Sequence, residues 1–270
     1  MNKPIGVIDS GVGGLTVVHE LMRQLPKEKL IYLGDTKRCP YGPRTPEEIK
    51  KFTWEMVDFL LTKDIKMLVI ACNTATAYTL TELQNKLSIP VVGVIQPGAR
   101  AAIKSTVKDY VGIIGTEGTV KSNAYSHALK MLKPNIQSTS LACPLFVPMV
   151  EKGILNGPEA LETVKQTLSP FLIKEEMDTI ILGCTHYPLL KDVIQQVVGP
   201  EIILISSSEE TARETSTILQ VNQLLNINNG LCAHQFYTTG DVGLFTSLTQ
   251  KIFNSNIENL KSVSIEKVVI

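Results

Sequence analysis

Residues 67–74 read MLVIACNT and residues 179–186 read TIILGCTH. Each is an aliphatic run that ends in a cysteine, Cys72 or Cys184, with a threonine close behind. Runs this short and this continuously apolar fit strands buried on both faces, as in a parallel sheet covered by helices. The runs 4–8, 30–33, 66–71, 90–94, 110–114, 136–141, 178–182 and 201–205 alternate with longer amphipathic stretches, so the fold class is α/β. One such stretch, TPEEIKKFTWEMVDFLL from Thr45, carries its own helix start. Thr45 can cap, Pro46 suits the first turn and Glu48 completes a capping box. Ile49, Phe52, Met56, Phe59 and Leu60 then supply one core-facing stripe. Ser207 with Glu210 predicts a second capping box, opening a helix over 208–225.

The cysteine motif is one of several echoes. Cys184 follows Cys72 by 112 positions, VGIIGTEGTV follows IGVIDSGVGG by 106, and Cys143-Pro144 follows Cys39-Pro40 by 104. Similar offsets imply an internal duplication. The expected architecture is two similar parallel-sheet α/β lobes related by pseudo-twofold symmetry, with the active site in the cleft between them. The segment beyond 208 has no counterpart after the first copy. It is expected to return to the N-terminal lobe, which would comprise 1–96 plus 208–270, leaving 97–207 as the second lobe.

The chain has 270 residues, enough for two compact lobes. Lys+Arg and Asp+Glu are both 26, so the composition offers no net basic field for nucleic acid. No apolar run approaches the roughly 18 residues of a membrane span, and MNKPIGVIDS lacks a signal-peptide pattern. The cysteines Cys39, Cys72, Cys143, Cys184 and Cys232 are odd in number, widely spread and free of CxxC, which points to a reducing cytoplasm. His19, His127, His186 and His234 form no metal-ligand spacing. GVGG is not GxGxxG and no Walker lysine follows. No metal and no cofactor is expected.

Ligands of open parallel sheets bind beyond the carboxyl ends of strands. Cys72 and Cys184 both fall there, each ahead of an expected helix whose N-terminal dipole would favour a thiolate. A lone cysteine at a strand end is ordinarily a small core residue; the repetition is what marks this pair. Two thiols facing one pocket suit a reaction that needs a proton-transfer group on each face of its substrate, and α-carbon racemisation is one. Asp9 can position or deprotonate a thiol, or simply cap a βα turn, and Ser10 can bind a carboxylate. His186 can tune Cys184, or pack. Asn73, Thr74 and Thr185 are neutral donors beside the thiols. Thr116 and Thr119 suit caps or substrate contacts. Tyr41 and Gly42, in the loop GDTKRCPYGPR, offer an O–H and an N–H to a cleft. Cys39 reads as structural. Glu151 reads, by itself, as a solvated carboxylate at a helix end.

These segments together, IDSGVGGLTV, YLGDTKRCPYGPR, KMLVIACNTATA, PVVGVI, GTEGTVKS and LGCTHYPLL, resemble the cofactor-independent glutamate racemases. The resemblance implies two cysteines acting as opposed acid and base on L- and D-glutamate, supplying D-glutamate for peptidoglycan. It implies substrate contacts at Asp9, Ser10, Tyr41, Gly42, Asn73, Thr74, Thr185 and His186. It assigns Asp9 to assist Cys72, and Glu151 and His186 to assist Cys184. It leaves a homodimer open. Gln96, Ser206 and Ser208 depart from the common pattern at expected helix starts. An aspartate racemase, a non-catalytic amino-acid binding protein and a thiol hydrolase using Cys184 and His186 are the alternatives; the latter two leave a thiol unused.

Overall fold

The computed structural model describes residues 3–173, 176–227, 233–253 and 263–270. Cys232 lies outside them. Strands β1 (Ile5–Asp9), β2 (Leu30–Gly34), β3 (Met67–Ile70), β4 (Val91–Gly93), β9 (His234–Thr238) and β10 (Val263–Lys267) form one sheet in the order β10-β9-β2-β1-β3-β4. Strands β5 (Tyr110–Gly115), β6 (Gln137–Ala142), β7 (Thr179–Gly183) and β8 (Ile203–Ile205) form a second in the order β6-β5-β7-β8. Every pairing is parallel. The local order β2-β1-β3-β4 is repeated as β6-β5-β7-β8. The duplicated motifs therefore occupy equivalent places: β1 corresponds to β5, and the cysteine strands β3 and β7 correspond to each other.

Crossover helices join the strands. They are α1 (Leu15–Gln24), α2 (Pro46–Leu61), α3 (Asn73–Lys86), α4 (Ile95–Ser105), α5 (Glu117–Lys121), α6 (Ala124–Leu132), α7 (Phe146–Glu151), α8 (Gly157–Leu172), α9 (Lys191–Val198), α10 (Ser207–Val221) and α11 (Val242–Phe253). Alternate residues of β1 feed the cores on its two faces: Ile5 and Val7 join α1, α10 and α11, while Ile8 joins α2 and α3. That is why β1, β2 and β3 read as unbroken apolar runs. No helix among the described residues is long and apolar enough to cross a membrane.

All eight expected strands are present, each within a residue or two of its expected limits. The strand expected at 136–141 is not buried on both faces: β6 is an edge strand, partly exposed along its length. Thr45 and Glu48 form the expected capping box on α2. The second one does not form. Ser206 caps α10, accepting from Ser208 N, and the helix stops at Val221 rather than 225. The strands β9 and β10 carry no continuous aliphatic run and were not expected; β9 lies against β2 and extends the first sheet.

Candidate active site

In each sheet the chain leaves the first strand in one direction and returns on the other side, so a crevice opens at β1/β3 and at β5/β7. Asp9 ends β1 and Cys72 follows β3; Thr116 follows β5 and Cys184 follows β7. The two crevices meet. A small cavity is lined by Cys72 and Cys184 together with Ser10, Tyr41, Gly42, Asn73, Thr74, Thr116, Thr185 and His186. Both thiols are buried, at 5% and 6% exposure.

Cys72 is the N-cap of α3, where its sulfur accepts from Ala75 N at 3.4 Å and donates to Ser10 Oγ at 3.5 Å. The expected lowering of its pKa by the helix end does not prevail. Burial first, then the negative charge of Asp9, pushes the thiol up to about 12. Asp9 itself is fully buried, and burial raises its carboxyl above the usual range against the opposing pull of His186, Gly11 N and Thr185. Its carboxylate accepts from Gly11 N at 2.9 Å and from Thr185 Oγ1 at 3.1 Å. The second bond ties the β1 turn to the β7 turn. Gly13 permits this approach, because a Cβ there would stand 2.5 Å from Thr185 Oγ1 and 2.6 Å from His186 Nδ1.

Cys184 departs from the expected helix start. It precedes a short 3-10 turn, Tyr187–Leu190, and α9 begins only at Lys191. Its polar neighbour is instead His186, with Nδ1 3.7 Å from the sulfur, and Nε2 of the same ring lies 2.6 Å from Glu151 Oε1. Burial alone would lower the imidazole's pKa. Hydrogen bonding to Cys184, Cys39 and Glu151 outweighs it and raises the pKa well above normal. Burial likewise opposes the charge on Glu151, yet the bond to His186 holds that carboxyl below its ordinary range. Glu151 is thus not the solvated helix-end carboxylate that its local sequence suggests: its side chain is 25% exposed and engaged.

Neutral donors complete the cavity. Thr74 Oγ1 meets Thr116 Oγ1 at 2.8 Å and Thr119 Oγ1 at 3.1 Å, joining the two sheets' loops, while Thr116 also caps α5. Asn73 Oδ1 accepts from Tyr125 OH at 2.6 Å, leaving its buried Nδ2 without a protein acceptor. Tyr41 lines the cavity, but its hydroxyl donates to Asp35 Oδ2 at 2.6 Å rather than to an open site. Gly42 accepts from Gly118 N through its carbonyl. Gln96, Ser206 and Ser208 do not line the cavity.

Three participants escape a reading by sequence. Tyr125 orients Asn73, and Val147 contributes an apolar wall; nothing local marks either. Cys39, read as structural, has its sulfur 3.7 Å from Glu151 Oε1. Cys39, Glu151 and His186 bring metal-ligand atoms within 4.8 Å of one another, a grouping that no pair of histidines would reveal.

Residues 5–215 match the family model described as Asp/Glu/Hydantoin racemase. The chain is 67% identical over 256 residues to the glutamate racemase of Oceanobacillus iheyensis, covering 95% of this chain and 93% of that one. It is 58% identical over 267 residues to the glutamate racemase of Bacillus cereus, covering 99% of each. A crystal structure of a glutamate racemase isoform from Bacillus anthracis superposes with a TM-score of 0.93 at 49% identity, covering 99% of this chain and 98% of that one. The Francisella tularensis glutamate racemase, solved in complex with D-glutamate, gives 0.90 at 34% identity, covering 100% and 98%. An aspartate racemase from Picrophilus torridus shares the fold at 19% identity, with a TM-score of 0.59. The chain belongs to the Asp/Glu/hydantoin racemase family, among its glutamate racemases.

Proposed function

We propose that Cys72 and Cys184 are the opposed acid and base of a glutamate racemisation that uses no cofactor and supplies D-glutamate for peptidoglycan. The observation that carries this reading is the two thiols lining one cavity from equivalent strands of two sheets. With L-glutamate bound, Cys184 takes the α-proton. His186, held protonated by its partners, offsets the charge on that sulfur. Cys72 retains its proton readily, because burial and Asp9 disfavour its thiolate, and delivers it to the opposite face. For D-glutamate the roles reverse, and Asp9 assists Cys72. The planar intermediate is stabilised by donors already in place, with the unpaired Asn73 Nδ2 and the α3 N-terminus suited to a substrate carboxylate. Burial of the cavity excludes water while the carbanion exists.

The same proposal divides the chain into lobes at 1–96 plus 208–270 and at 97–207, on the strength of the strands each sheet uses. It places the protein in the cytoplasm, which the free thiols Cys39, Cys72, Cys143 and Cys184 favour. A homodimer is included on family resemblance alone and is tested by sedimentation.

The mechanism is tested in heavy water on chelator-dialysed protein without added cofactor. From L-glutamate at low conversion, D-glutamate should carry α-deuterium while remaining L-glutamate stays protonated; D-glutamate should give the mirror result. Cys72→Ala and Cys184→Ala should each lose at least about 10²-fold in racemisation. Comparable labelling of substrate and product, or near-normal turnover by either variant, would falsify the two-thiol assignment.

A further inference from the structure

We infer that Cys39, Glu151 and His186 form a binding site for a thiophilic divalent cation of the zinc type, and that filling it stops racemisation. The three side chains come from separate segments: the loop after β2, the last residue of α7 and the turn after β7. One ligand atom from each lies within 4.8 Å of the others. A thiol, a carboxylate and an imidazole are the donor types that zinc binds at roughly 2.0–2.3 Å, and three protein ligands leave a fourth tetrahedral position for water. Gly11 packs its backbone directly against the three donors. A Cβ there would stand 2.9 Å from Cys39 Sγ, 2.9 Å from Glu151 Oε1 and 3.4 Å from His186 Cε1. Only a residue without a side chain lets the backbone lie this close to all three donors. Cys39 and Glu151 are half-buried and lie outside the lining of the thiol cavity, which the third ligand, His186, shares.

A cation on Nε2 displaces the hydrogen bond that this nitrogen donates to Glu151 and fixes both groups as ligands. The metal then holds the ring through Nε2 and takes Glu151 out of the pair, so the His186–Glu151 couple that faces Cys184 in the proposed mechanism is lost. The binding half of the inference stands on geometry; the inhibitory half rests on the role proposed for His186. The two are separated by their readouts.

Binding is read with Co²⁺ as the probe, through its thiolate charge-transfer absorption. The band should appear in the wild-type protein, in Cys143→Ala and in the double variant Cys72→Ala/Cys184→Ala, and should be missing from Cys39→Ala and weak or missing in Cys39→Ser. A band that survives in Cys39→Ala, or that disappears in the double variant, overturns the site. The serine variant keeps the size of the side chain, so a folded Cys39→Ser with an unchanged band is equally fatal. Inhibition is read with ZnCl₂ in the racemase assay. Half-inhibition should be reversed by chelator and should need at least about tenfold more zinc in Cys39→Ser, the scale of loss when even an outer partner of a metal site is removed. Zinc that displaces cobalt without slowing turnover overturns the inhibitory half.

Discussion

At the scale of single residues, the two thiols are chemically unequal although they come from equivalent strands. Cys72 faces a buried carboxylate, and Cys184 faces an imidazole that its partners keep charged. Removing the charge on Asp9 removes one of the causes that push Cys72 up. Asp9→Asn is therefore expected to speed iodoacetamide labelling of Cys72 while slowing racemisation, both read by peptide mapping and chiral assay; slower or unchanged labelling would count against the electrostatic coupling. The His186–Glu151 pair makes a prediction about stability. His186 has a raised pKa when folded, so its contribution is complete below its unfolded value of about 6.5 and is lost as pH climbs through the folded value. Glu151 is held down, so its contribution is present above about 4.5 and is lost as pH falls through the depressed value. The pair supports the fold most between those limits. His186→Gln should flatten the decline in urea midpoint between pH 6 and pH 9, and an unaltered decline would rule the pair out as its source.

At the scale of elements, the helix that begins at a thiol differs between the copies. CNTATAY continues directly into α3, so Cys72 caps a 14-residue helix. CTHYPLL contains Pro188 and makes a 3-10 turn first, so the helix dipole is replaced at Cys184 by His186. A second element-level device lies far from the cavity. Lys66 and Glu28 pair at 2.6 Å with 3% and 2% side-chain exposure. Lys66 Nζ donates to Leu224 O, and Glu28 Oε1 accepts from Asn226 N. The chain leaving α10 is thereby pinned between the starts of β2 and β3. Lys66→Met should destabilise by roughly 3–5 kcal/mol, because Glu28 would keep a buried charge without its partner. Thr45→Ala, which opens an exposed capping box, should remove only about 1 kcal/mol. Urea denaturation of the two variants tests the contrast, and equal losses would contradict it.

At the scale of the whole molecule, the cavity exists only because two sheets present the carboxyl ends of their strands to each other. Asp9–Thr185 and the Thr74–Thr116–Thr119 cluster hold that closure with side-chain bonds that span it. A ligand filling the cavity binds the folded protein alone, so glutamate at about 100 times its Kd should add roughly 2.7 kcal/mol of stability. It should also protect both thiols from alkylation. A melting temperature indifferent to glutamate would exclude this cavity as the substrate site.

The sequence alone determined the strands of both sheets wherever burial on two faces forces an aliphatic run. Repetition of MLVIACNT as TIILGCTH put the thiols at equivalent strand ends, and the capping box fixed the start of α2 through bonds three residues apart. β9 was not legible because HQFYT alternates in character, and its place beside β2 is set by pairing across 200 positions of chain. Glu151 and Cys39 read as ordinary residues for a related reason. Their character comes from burial against His186 and Gly11, which folding brings from distant segments. The direction of the Cys72 shift also waited on tertiary structure. A helix end is local and argues for a thiolate, whereas desolvation and the field of Asp9 are products of packing, and packing prevails.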